Sequence, residues 1–211
     1  MLKMAIITGF LSLTKDRFHE YNTPLTIDEK FKLMSEIEGY NGVEIVFPYE
    51  VADVDETIAA LNRYKLKVAA VNVNVKAEPE FRNGGLTSPN ERVRSKAVQF
   101  IKDAKDFASK IGADKVTCCP LGDGYEFCFQ YDYAQAWKNL IHTISEAADY
   151  NNELPLFIEY KPSETRGKCF VDTAAKALCL LNDIKIKNMG VTLDFGHSIY
   201  GNENPAEAVA M

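Results

Sequence analysis

The stretch from Leu154 to Ser198, LPLFIEYKPSETRGKCFVDTAAKALCLLNDIKIKNMGVTLDFGHS, decides the fold. It opens on one apolar run, LPLFIEY (154–160), and closes on another, MGVTLDF (189–195), with a helical pattern from Asp172 to about Asn182 between them. Both runs are continuously apolar rather than alternating. That is the pattern of strands buried on both faces, as in a parallel sheet covered by helices. Working outward, the same alternation fills the chain. Further strand-like runs are MAIITGF (4–10), GVEIVF (42–47), KVAAVNVNV (67–75) and DKVTCCP (114–120). Helices are expected from Thr26 to about Gly39, with Ile27, Phe31, Met34 and Ile37 on one face, and from Asp53 to about Tyr64. Thr26/Glu29 and Asp53/Glu56 have capping-box spacing. A third helix is expected to open on Ser88-Pro89, with Ser88 as N-cap, and to run to Gly112; a fourth spans Tyr133 to about Tyr150.

Regular βα repetition implies a parallel sheet, either open and doubly wound or closed into a barrel. No GxGxxG follows the first strand and no P-loop is present, which lowers the weight of nucleotide-binding open sheets. A full (β/α)8 TIM barrel needs eight strands, and six are readable here. Asn204-Pro205-Ala206-Glu207 starts a helix that stops at Met211, so the expectation is a single α/β TIM-barrel domain over 1–211, about six βα units, C-terminally incomplete.

Composition narrows the function. The chain has 211 residues and a formal charge of −6, which argues against non-specific nucleic-acid binding. Five cysteines without CxxC spacing fit reduced thiols in a cytoplasmic protein better than a disulfide framework or a thiolate zinc site. No signal-peptide pattern and no membrane-length apolar run are present.

In a parallel barrel the active site gathers at the C-terminal ends of the strands. Glu159 and Lys161 end the fifth strand two residues apart, on one face; Asp194 ends the sixth, and His197 follows on the turn. Oxygen and imidazole donors suit a divalent metal, Mn²⁺ first, with Co²⁺, Mg²⁺ or Zn²⁺ as alternatives. Such an ion grips adjacent sugar oxygens and stabilises an enediolate, or assists a hydride shift. A buried Glu159–Lys161 ion pair is the plainer reading of the fifth strand taken alone. Arg82, in EFRNGGLTSP (80–89), is a candidate contact to substrate hydroxyls. Tyr125 and Phe127, in DGYEFCFQYDY (123–133), are candidates for a sugar-stacking wall, although loop packing or a subunit contact explains them equally. His19 and His142 read as a loop and a helix-surface histidine.

IEYKPSETRG (158–167) resembles the IEPKPNEPRG segment of xylose isomerases, and LDFGH (193–197) resembles the carboxylate-x-x-His that follows it in the xylose isomerase-like TIM-barrel superfamily. That superfamily also holds ketose 3-epimerases and rhamnose isomerases. The resemblance implies that Glu159 and Asp194 ligate the metal and that Lys161 contacts the substrate's O1. It places Glu164 on the second Glu of the motif, and makes His197 either a metal ligand or a substrate contact. Tyr160 and Thr165 stand where the xylose isomerase segment has prolines, and the first strand lacks that enzyme's catalytic histidine. The expected function is therefore a metal-dependent sugar isomerase or epimerase, a homo-oligomer acting on a small-molecule sugar. The alternatives are a C-glycoside- or keto-sugar-cleaving enzyme of the same fold, and a barrel that binds a sugar or protein partner without turnover. An endonuclease IV-like site needs more histidines than the three present.

Overall fold

A computed structural model describes residues 3–12, 14–15, 18–40, 42–165 and 167–211. Arg166, within the motif quoted above, lies outside them. Six parallel strands form the main sheet: β1 Ala5–Ile7, β2 Gly42–Phe47, β3 Lys67–Val73, β4 Val116–Cys118, β5 Leu156–Glu159 and β6 Met189–Thr192. Their order across the sheet is their order in the chain. A doubly wound sheet reverses order at a switch point; this sheet has no reversal and follows the barrel progression.

The chain comprises two compact units, residues 1–73 with 104–116, and residues 74–103 with 117–211. In the first, β1 pairs with β2 in the register Ile6↔Val43, and β2 with β3 in the register Ile45↔Val71. Helix α1 (Ile27–Ser35) forms because Thr26 and Glu29 close a complete capping box. It buries Phe31 and Met34, while Ile37 falls beyond its end. In α2 (Val54–Tyr64) the Asp53 carboxylate accepts the Glu56 N–H at 2.8 Å, and the helix ends on Lys65 in the left-handed region, φ 55°.

Helix α3 (Glu91–Ile111) begins later than Ser88 predicts. Asn90 caps it, its Oδ1 accepting from Arg92 N at 3.0 Å, whereas Ser88 Oγ accepts from Asn90 N and Pro89 precedes the cap. Of two cap-forming residues two positions apart, Asn90 is the one whose side chain reaches a first-turn N–H of the helix, and it caps it.

In the second unit β5 and β6 pair in the register Ile158↔Val191 and Glu159↔Thr192. Leu156, Ile158 and Tyr160 alternate to one face and are fully buried. Helices α4 (Tyr133–Asp149) and α5 (Ala174–Ile184) contribute Leu140, Ile144 and Leu180 to the same core. Short helices α6 (Phe195–Tyr200) and α7 (Pro205–Ala210) follow β6, the latter capped by Asn204 as its sequence predicts. An antiparallel ladder joins Gly124–Tyr125 to Lys168–Cys169. Glycine is required at 124, because a Cβ there would lie 1.9 Å from the Lys168 carbonyl oxygen. All five cysteines are free thiols. Among the described residues no helix is long and apolar enough to cross a membrane.

Candidate metal centre

Glu159 is the last residue of β5, paired with Thr192 at the end of β6. Asp194, two residues on, is the N-cap of α6: its Oδ1 accepts the His197 backbone N–H at 2.9 Å. His197 therefore sits in the first turn of a helix rather than on a plain turn. One ligand atom each from Glu159, Asp194 and His197 lies within 4.8 Å of the others. The Glu159 and His197 side chains are 15% and 18% exposed and Asp194 is 41% exposed, so the cluster is sheltered on one side and open to solutes on the other.

The protons sharpen this picture. His197 Nδ1 lies 2.9 Å from the Tyr160 carbonyl oxygen and 3.2 Å from Glu159 Oε1. A carbonyl only accepts, so the hydrogen-bond network assigns a proton to Nδ1. Nε2 is 3.7 Å from Asp194 Oδ2. Two carboxylates and an imidazole thus face one another. A divalent cation satisfies such a donor set, and the Nδ1–H bond to a backbone carbonyl is how metal-ligating histidines are commonly oriented. Thiolate ligation is disfavoured nearby. Burial pushes the Cys118 and Cys119 thiols well up, and that of Cys169 to about 12.

Lys161 does not pair with Glu159. Its Nζ bonds Glu164 Oε1 at 2.8 Å. Burial is the largest single influence and works against the Lys161 charge, but the Glu164 hydrogen bond and the negative charge of Glu164 together with the nearby cysteines offset it, and the ammonium pKa rises. Arg82, Tyr125 and Glu164 line one cleft of about 160 Å³ with Gln130, Tyr131 and Lys168. Glu159, Asp194 and His197 are not among its lining residues. The expected residues therefore fall into two groups, a metal cluster and a cleft, with Lys161 bonded to the cleft residue Glu164. Tyr125 stacks within protein: its ring lies 5.2 Å from Tyr133 and 5.9 Å from Phe170. Phe127 is exposed, as are His19 and His142.

Two residues of this unit carry structure that the motif does not announce. Tyr160 is fully buried behind the cluster. Asp123 is buried in the loop after β4, its Oδ1 accepting from the Thr87 N–H and hydroxyl at 2.7 and 2.6 Å. Its Oδ2 has no hydrogen-bond partner among the described residues by distance and angle, and burial pushes the carboxyl pKa up despite the Thr87 donors and the Leu86 and Gly85 backbone N–H groups.

A family model described as a xylose isomerase-like TIM barrel matches residues 31–211. The xylose isomerase of Thermus thermophilus is 27% identical over 158 residues, which are 72% of this chain and 40% of that enzyme's length. Among solved structures, a D-tagatose 3-epimerase-like protein superposes with a TM-score of 0.74 at 23% identity, over 99% of this chain and 70% of that one. The 3-keto-D-glucoside 4-epimerase of E. coli gives 0.72 at 19% identity, over 99% of this chain and 74% of that one.

Proposed function

The chain belongs to the xylose isomerase-like TIM barrel family, and from that premise we propose that it is a divalent-metal-dependent sugar isomerase or epimerase acting on a ketose or aldose. Glu159, Asp194 and His197 are the proposed ligands and Mn²⁺ the proposed ion. One observation carries the reading: two carboxylates and an imidazole, from the end of β5 and from the start of the helix that follows β6, converge within 4.8 Å. The curated relative matches over only 40% of its own length, so the substrate is proposed at the level of a class.

Held by Glu159, Asp194 and His197, a divalent ion would supply Lewis-acid polarisation of sugar oxygens. The protein's own groups do the rest. Glu159 contributes a carboxylate oxygen both to the ion and to acid–base work at the sugar carbon. Lys161 keeps its proton on Nζ at neutral pH and places that charge at the substrate carbonyl oxygen. Glu164 holds Lys161 in place. Arg82 and Tyr125 border the cleft that receives the remaining hydroxyls.

The test is conversion of a panel of ketoses and aldoses by the intact protein before and after EDTA. Chelation should remove at least about 100-fold of the activity, and Mn²⁺ or Co²⁺ should restore it. Activity that survives complete metal removal would overturn the metal reading. Metal binding without conversion of any sugar, and without deuterium uptake from D₂O, would point to a binding protein instead.

A further inference from the structure

We propose that Tyr160 is the positioning residue of the metal centre, holding the Asp194 and His197 ligands through two separate contacts while its neighbour Glu159 supplies the third. The proposal rests on the metal-centre reading above. Tyr160 and Ser198 are both fully buried. The Tyr160 carbonyl takes the His197 Nδ1–H at 2.9 Å, which fixes the ring and leaves Nε2 3.7 Å from Asp194 Oδ2. The Tyr160 phenol oxygen lies 2.6 Å from Ser198 Oγ. Ser198 Oγ also reaches the Asp194 carbonyl oxygen, at 3.1 Å. The relay runs from the Tyr160 hydroxyl through Ser198 to the backbone of Asp194. Asp194 in turn accepts from His197 N.

A proline, which stands at this place in the resembling segment, has no hydroxyl and cannot make the relay. The device is therefore carried by this chain's own departure from the motif.

Cobalt titration of the metal-free protein tests it, following the visible d–d band and, separately, thermal unfolding by circular dichroism. Tyr160→Phe keeps the ring and the carbonyl but deletes the relay; Ser198→Ala cuts it one step later. Both are expected to bind Co²⁺ about 10- to 100-fold more weakly than wild type, with an altered band. Folded variants that bind within two-fold of wild type with an unchanged band would overturn the proposal. Should Tyr160→Phe fail to fold, Ser198→Ala decides by the same criterion. Nitrogen NMR of His197 in the metal-free wild type is a separate arm. The Nδ1–H tautomer is expected, and the Nε2–H tautomer would refute the carbonyl contact. Failure of the wild type to take up Co²⁺ overturns the metal reading itself, a result distinct from either of these.

Discussion

Lys161 and Glu164 show how a short loop makes a charged group usable. Three residues apart and 2.8 Å from each other, they form a partly buried pair. A lone lysine there would lose part of its hydration with nothing in return, and its pKa would fall. The Glu164 partner reverses that direction. Lys161→Met should therefore cost kcat/KM about 100- to 1000-fold, the usual loss for one preorganised donor, with metal affinity unchanged. Glu164→Gln should cost about 10-fold or less, because Lys161 keeps its charge but loses its tether. A steady-state comparison across both variants checks this; a Lys161→Met enzyme within three-fold of wild type would exclude the role. Glu159, Asp194 and His197 were legible in the sequence because each falls at the end of an apolar run, where parallel strands deliver side chains to one edge. The Lys161–Glu164 contact was not, since the Glu159 and Lys161 side chains share a strand face and the turn geometry alone redirects the ammonium. Tyr125 was read equally as a wall for sugar or as loop packing; its contact with Phe170 could not be seen from spacing, since Phe170 is 45 residues away in the chain.

Helix α6 is six residues long and begins on a proposed ligand. So short a helix has little stability of its own, and the Asp194 cap and the Ser198 bond are what fix its start. Asp194 thus has two separable jobs. Asp194→Asn keeps an acceptor for the His197 N–H, so unfolding stability should change by about 0.5 kcal/mol or less while metal affinity falls at least about 10-fold. Asp194→Ala should lose the same affinity and about 1 kcal/mol of stability besides. Chemical denaturation paired with metal titration separates the two; equal stability of both variants would show that the cap contributes nothing. The elements themselves were largely readable, because apolar continuity marks buried strands and Thr26, Asp53 and Asn204 mark helix starts. The exact start of α3 was not. Ser88, Pro89 and Asn90 all favour a helix N-terminus, and only the hydrogen-bonded geometry selects Asn90. Asp194 likewise reads as a strand end in sequence and as a cap in the structure, because β6 closes at Thr192.

At the scale of the whole molecule, the order of the strands was implied by continuous apolar runs alternating with amphipathic helices, and the sheet follows it without a reversal. What ties the loops above the strands was hidden. Asp123 sits between glycines in a loop whose composition suggests only a turn. Its side chain holds Thr87 at the far end of the loop after β3, and its carbonyl accepts from Phe170 N at 2.9 Å. The bonds join residues 36 and 47 positions apart, separations no local pattern encodes. The same residue gives the molecule a pH signature. Burial raises its native pKa above the unfolded value of about 3.9. Below that unfolded value both states hold the proton and its contribution to stability is fully present. As pH climbs through the raised native pKa, the carboxyl must ionise in a buried place with one oxygen unpartnered, and the contribution is lost at roughly 1.4 kcal/mol per unit of elevation. Asp123→Asn retains an oxygen for Thr87 and cannot ionise. Its thermal midpoint should match wild type near pH 4 and exceed it increasingly toward pH 7, by about 2 to 4 °C for each kcal/mol regained. Midpoints measured across that range decide the matter: a constant offset between the two proteins would mean that Asp123 is already ionised in the native fold.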